Sequence, residues 1–194
     1  NGNVTLAYTG GVSGSFNPGL EDLNRHFVLV GVRFSGSGLA LPATPTIDGT
    51  PMNLITRGSG SGGDDGGITG VYTIKIPTGT SPLTVAQAAT AFTFCAIYRV
   101  TGIFEMTTST VLSAQSGNGL SGSKTSSSNG CFFGASVSNF ATPAYPTPNT
   151  TGLLFDAGQQ GRTAASNATT GPTQSVSITG NQMNSFAIFG YDLF

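Results

Sequence analysis

The chain predicts an all-β fold, a single antiparallel β-sandwich of jelly-roll type with long Gly/Ser/Thr loops, and three observations carry that expectation. Apolar residues recur with period two or in short continuous runs, and no long segment repeats them at helical spacing. Gly, Ser, Thr and Pro punctuate those runs, with 29 glycines in 194 residues. Charged residues make up 8% of the chain, against roughly 25% in an ordinary soluble domain, so hydroxyls, amides and backbone must form most of the surface. The length suits one domain of this kind. Residues 1–24 read as an N-terminal arm or first strand, and residues 25–194 as the sandwich.

Taken in order, Asn3-Val4-Thr5-Leu6-Ala7-Tyr8-Thr9 alternates and stops at Gly10-Gly11, as a short strand able to pair with its own sheet or a neighbour's would. Phe27 to Phe34 is the clearest strand, with Val28, Val30, Val32 and Phe34 on one face. Asp48-Gly49, between Thr46-Ile47 and Thr50-Pro51, is a tight hairpin turn. From Val71 to Ile76, Tyr72, Ile74 and Ile76 should point inward, and Thr73 and Lys75 outward. Pro77 to Pro82 then breaks the strand.

Leu83 to Ala91 suits either a helix or a strand. Phe92 to Val100 is the second strong strand, and Ile97 on its other face predicts cover on both sides. Cys131 to Phe140, Gln174 to Ile178 and Phe186 to Phe194 supply three more strands. The last is apolar on both faces, which places it centrally in a sheet or against a partner, because a free edge so apolar would aggregate. The segments 35–45, 57–67, 113–129 and 141–149 read as long loops of the kind used for binding or assembly.

Composition also bounds the chemistry. The net charge is −1 and the seven Lys and Arg are scattered, so no basic stripe is present for phosphates and no nucleic-acid partner is expected. No apolar run approaches the ~20 residues of a membrane helix. The first residue is Asn1, which fits either removal of a leader or a start further upstream. His26 is the single histidine, without a Gly-x-Ser-x-Gly elbow to make it part of a hydrolase relay. No catalytic residue and no cofactor are therefore expected, and the chain reads as a non-enzyme.

Three weaker candidates remain. Asp64 and Asp65, in a Gly/Ser run, could offer carboxylates to calcium, although the spacing matches no calcium loop. Tyr145, between prolines, could form a platform for a host-surface glycan. Cys95 and Cys131 are the two cysteines; they are either one disulfide, worth roughly 3–4 kcal/mol, or buried free thiols.

The order of segments resembles jelly-roll domains of tailed-bacteriophage virion surface proteins. In that family an apolar "LVVGV"-like strand precedes a hairpin of the V-x-x-G-G-x-x-M-x-x type, as Phe27 to Phe34 precedes Pro45 to Leu54. Val71 to Thr80, with its Pro-x-Gly-Thr turn, and Phe92 to Gly102 are similar to the strands that follow. Asp48-Gly49 replaces the doubled glycine, and the Ser/Gly insert between Ser113 and Asn129 is a departure. The resemblance implies a multi-copy structural protein on a virion surface, whether capsid decoration, cement, head spike, fibre or tail tip. Its partners would be copies of itself and other virion proteins. A sparse net charge fits that expectation, since free monomers depend on net charge for solubility. The alternatives are a carbohydrate-recognising receptor-binding or adhesin module for host attachment, and an extracellular pilus-like filament subunit.

Overall fold

The computed structural model describes the backbone of residues 3–11, 13–36, 43–60, 65–87, 94–106, 110–112, 119–125, 131–138, 147–148, 154–156, 161–167, 173–179 and 183–193, with side chains for 4–11, 13–31, 43–57, 69–87, 94–102 and Phe133. Among these residues every regular element is a strand and every pairing is antiparallel. In chain order they are β1 (Asn3–Gly10), β2 (Ser13–Phe16), β3 (His26–Gly36), β4 (Thr46–Ile47), β5 (Thr50–Pro51) and β6 (Asn53–Gly60). There follow β7 (Asp65–Lys75), β8 (Leu83–Ala86), β9 (Phe94–Thr101), β10 (Ile103–Met106), β11 (Thr110–Leu112) and β12 (Gly119–Thr125). The last are β13 (Cys131–Ser138), β14 (Thr147–Pro148), β15 (Leu154–Asp156), β16 (Gly161–Asn167), β17 (Thr173–Thr179) and β18 (Met183–Leu193).

Two large sheets carry the architecture. The first has five strands in the order β1-β9-β3-β7-β6, and the second has the order β10-β18-β13-β16-β15 with β11 also on β18. Two smaller sheets run β2-β8-β4-β5 and β12-β17-β14. The apolar strand at the C-terminal end of the chain, β18, pairs with β10 and β11 along one edge and β13 along the other. Its central position is the one its two apolar faces require.

The first large sheet is covered on both faces. Register places Leu29 opposite both Tyr72 and Ile97, with Phe27 opposite Ile74, so these side chains share a face. There they pack with Phe16, Ile47, Met52 and Val85 of the small β2-β8-β4-β5 sheet and its turn into one cluster. The opposite face carries Val28, Val30, Val71, Ala96, Tyr98 and Val100, all fully buried. Over it lie β13, β16 and β18 of the second large sheet, and the Tyr98 and Phe133 rings meet at 5.4 Å. Each such buried side chain is worth roughly 1.5–3 kcal/mol relative to exposure, so cover on two faces doubles what one sheet contributes.

That two-sided cover corrects one expectation. Tyr72 and Ile74 are buried, Ile76 is partly buried and Lys75 is exposed as the alternation predicts, but Thr73 is also buried. It stands in register with Val28, on the face the second sheet closes. Two of the predicted loops, 57–67 and 113–129, hold strand among the described residues. β6 runs to Gly60 and β7 starts at Asp65, with Gly60 paired to Gly67. The Ser/Gly insert contains β12, an edge strand in seven register pairs with β17.

The Asp48-Gly49 hairpin is present between β4 and β5, with Asp48 at φ 47° and Gly49 at φ 77°. Positive φ at both central residues is the type I′ geometry that matches strand twist. The ambiguous segment at Leu83 begins as strand β8, and the rest from residue 88 lies outside the described residues. No helix long and apolar enough to cross a membrane occurs among the described residues.

Candidate functional site

The most constrained irregular segment is the loop from Asn17 to Arg25, between β2 and β3. Asn17 Oδ1 accepts the Gly19 N–H at 2.8 Å and Asp22 Oδ1 accepts the Asn24 N–H at 2.7 Å, two local turns of the kind short Asx side chains make. The Asp22 N–H donates to the Pro77 carbonyl, and the Arg25 N–H to the Asp22 carbonyl. The loop is thereby tied to the turn after β7.

Arg25 holds the two segments together from inside. Its side chain is fully buried and all its donors meet backbone carbonyls. Nε donates to Ile76 O at 2.7 Å, Nη1 to Gly19 O at 3.1 Å and Leu20 O at 2.9 Å, and Nη2 to Thr78 O and Gly79 O, both at 2.8 Å. Five contacts match the five N–H donors of a guanidinium. The Phe27 ring lies beneath, with Arg25 Cζ 5.6 Å from its centroid. Burial pulls the guanidinium below its ordinary value; the Glu21 carboxylate opposes this, Arg99 adds to it and Asp22 opposes it. The ordinary value is so high that the group keeps its charge.

Arg99 clamps the same loop from β9. Its Nη1 reaches Pro18 O at 3.4 Å and its Nη2 reaches Thr5 Oγ1 at 3.3 Å. Gly19, at φ 72°, lies so close that any Cβ there would run into the guanidinium. Glu21 accepts the Gly79 N–H and closes the loop against the opposite turn. Held this way, the loop turns Leu20 and Leu23 into solvent, 84% and 81% exposed. Beside them is an open hollow of about 280 Å³, lined by Leu20, Glu21, Asp22, Arg99 and Thr101.

The residues singled out in the sequence do not gather here. Asp64 and Tyr145 lie outside the described residues. Asp65 begins β7 opposite Gly36, and its side chain is outside the described set. Among the described residues no group of three His, Cys, Asp or Glu side chains could hold a metal ion. His26 is half-buried with Nδ1 2.8 Å from Asn24 O, and burial lowers its pKa first, with Lys75 adding to the effect and the Asn24 contact opposing it.

Cys95 is a buried, unbridged thiol in this structure, and the side chain of Cys131 lies outside the described residues. Strand alternation turns Cys95 to the face of β9 that carries Ile97 and packs against the small sheet. β13, which begins at Cys131, packs over the other face, where Tyr98 meets Phe133. Cys95 Sγ instead accepts from Gln87 Nε2 at 3.1 Å and lies 3.8 Å from Gly11 O as donor. Burial pushes the thiol up to about 12, against the Gln87 contact.

Sequence reasoning missed the clamp. Its local signals were Asn17-Pro18-Gly19 and an arginine directly before the first strong strand, but three of the five carbonyls it binds lie more than fifty residues away. No protein-family model, no curated protein and no solved structure matches the chain.

Proposed function

We propose that the chain is a non-enzymatic structural protein present in many copies on a phage-like virion, as capsid decoration, cement, or a head spike or fibre component built on a jelly-roll sandwich. The observation that carries this reading is the use to which the described polar groups are put. Arg25, Arg99, Glu21, Asp22, Asp48, Gln87 and Cys95 each bond to the chain's own backbone or to one another. They hold turns and loops in place where an enzyme would direct such groups at a substrate. The charge-poor composition and the segment-order resemblance support the same reading, with copies of the chain and other virion proteins as partners and the virion surface as its location.

The filament alternative asks β1 to leave its own sheet. Here β1 pairs with β9 of the same chain over seven register positions, and the loop after β2 is clamped by two arginines, which weighs against exchange of that arm. The glycan alternative rests on Tyr145 alone. Electron microscopy of concentrated protein tests the proposal: ordered rings, sheets, fibres or shells are the expected result. Dispersed single particles that bind a glycan array would overturn it in favour of a recognition module.

A further inference from the structure

β9 is closed on both faces, with Cys95, Ala96, Ile97, Tyr98 and Val100 fully buried. One of its backbone rows pairs with β3 and the other with β1. A strand this apolar with a free row of N–H and C=O groups would be a template for unwanted pairing, and β1 is what keeps that row satisfied. Yet β1 itself is weakly built. Among the described strands it has a neighbour on one side only, and its register with β9 shifts at Ala7. Val4 is its one fully seated side chain; Thr5, Leu6, Ala7 and Tyr8 are half-buried and Thr9 is exposed. An edge strand with a broken ladder and little burial belongs to the part of a fold that opens most easily.

Side chains fasten β1 at both ends. Near its start, Arg99 Nη2 donates to Thr5 Oγ1 at 3.3 Å. Just past its end, Nε2 of the buried Gln87 donates to Gly11 O at 3.3 Å and to Cys95 Sγ at 3.1 Å, and the thiol stands 3.8 Å from the same carbonyl. Gln87 Oε1 is meanwhile buried without a partner. Turning the amide over would aim that oxygen at the Gly11 carbonyl, so the bond to Gly11 is kept although it leaves an acceptor unsatisfied. We infer that β1 is a latched cover over the β9 edge. It opens as a unit ahead of the rest of its sheet, and the Gln87–Cys95 pair at Gly11 is the latch that sets how often. A polar pair beside an apolar cluster thereby has a use, since each opening bares the backbone row of β9. The latch holds whether the chain works alone or as one of many copies.

Amide hydrogen exchange read residue by residue by NMR tests it, on the full chain and on Gln87→Met and Thr5→Val. Gln87→Met keeps the side chain's length and removes the orphaned oxygen, and Thr5→Val keeps the shape of a half-buried side chain, so both variants fold. In the intact chain, the β1 amides bonded to β9 should exchange faster than the β3 amides bonded to β7. Gln87→Met should speed exchange in β1 about fivefold, the worth of one net hydrogen bond, and leave β3 and β7 unchanged. Thr5→Val should act in the same direction and on β1 alone. Exchange in β1 as slow as in β3 of the intact chain would overturn the separate opening. Exchange in β1 unmoved by Gln87→Met would overturn the latch, and so would an acceleration spread evenly over β1, β3 and β7, which is a general loss of stability.

Discussion

A guanidinium carries its five donors in a rigid fork, and in Arg25 each finds a carbonyl from one of two loops separated by more than fifty residues. Arg25→Met should therefore cost at least about 1–3 kcal/mol, the penalty for a buried polar group left without its partner. Arg25→Lys should recover only part, because an ammonium has three donors and no planar fork. Urea unfolding at unchanged m value is the measurement; a midpoint equal to that of the parent chain for Arg25→Met would refute the clamp. The glycines offer a paired comparison. Gly49→Ala meets nothing within 4 Å and carries only the strain of φ 77°, about 1–2 kcal/mol. Gly19→Ala carries the same strain and must also displace Arg99, so it should be clearly the more damaging of the two.

Cys95 gives the residue-scale pH prediction. Its thiol is raised from an ordinary 9.0 to about 12 by burial. A group that holds its proton more tightly when folded contributes stability fully below the unfolded pKa, and loses it as pH rises toward the folded one. Stability should fall between about pH 9 and about pH 12. Tyr8 and Tyr72, also raised chiefly by burial, act in the same direction. Cys95→Ala should flatten the slope in that window; an equally steep slope in the variant would show that the thiol is not its source. The native thiol should also resist alkylation.

At the scale of elements, the β4–β5 hairpin is a small test of turn chemistry. Asp48 sits at φ 47° while its Oδ1 accepts the Thr84 N–H at 2.7 Å and its own N–H donates to Thr84 O at 2.9 Å. Asp48→Ala removes the side-chain bond and places a less tolerant residue at positive φ, so it should cost about 1–2 kcal/mol. Asp48→Asn retains both an acceptor and the tolerance and should cost much less. Equal midpoints for the two variants would contradict this account of the turn.

Strands were the most legible elements. Phe27 to Phe34, Val71 to Ile76 and the Phe94 to Val100 stretch announce themselves because alternation and β-branched runs are local properties. Asp48-Gly49 was legible for the same reason. What escaped was whatever depends on a distant partner. Thr73 reads as outward by its hydroxyl, yet a second sheet lies over it. The glycine-rich ends of β6 and β7 read as loop, although each pairs with the other. The clamp escaped because its acceptors are main-chain carbonyls, which every residue has and no pattern marks. The surroundings of Cys95 were not legible either, because alternation along β9 does not say which of its faces meets the small sheet and which meets β13 of the second large sheet.

For the whole molecule, the described residues form a central sheet closed on both faces, with the bonded polar groups noted above directed at the chain itself. A body of this kind, with 8% charged residues and a net charge of −1, has little long-range repulsion to keep copies apart, which is the premise of the proposed multi-copy role. Light scattering coupled to gel filtration, run on the intact chain from micromolar to millimolar concentration, tests that claim most directly. The account predicts a mass that climbs with concentration or a discrete oligomer. A mass equal to one chain throughout would contradict it.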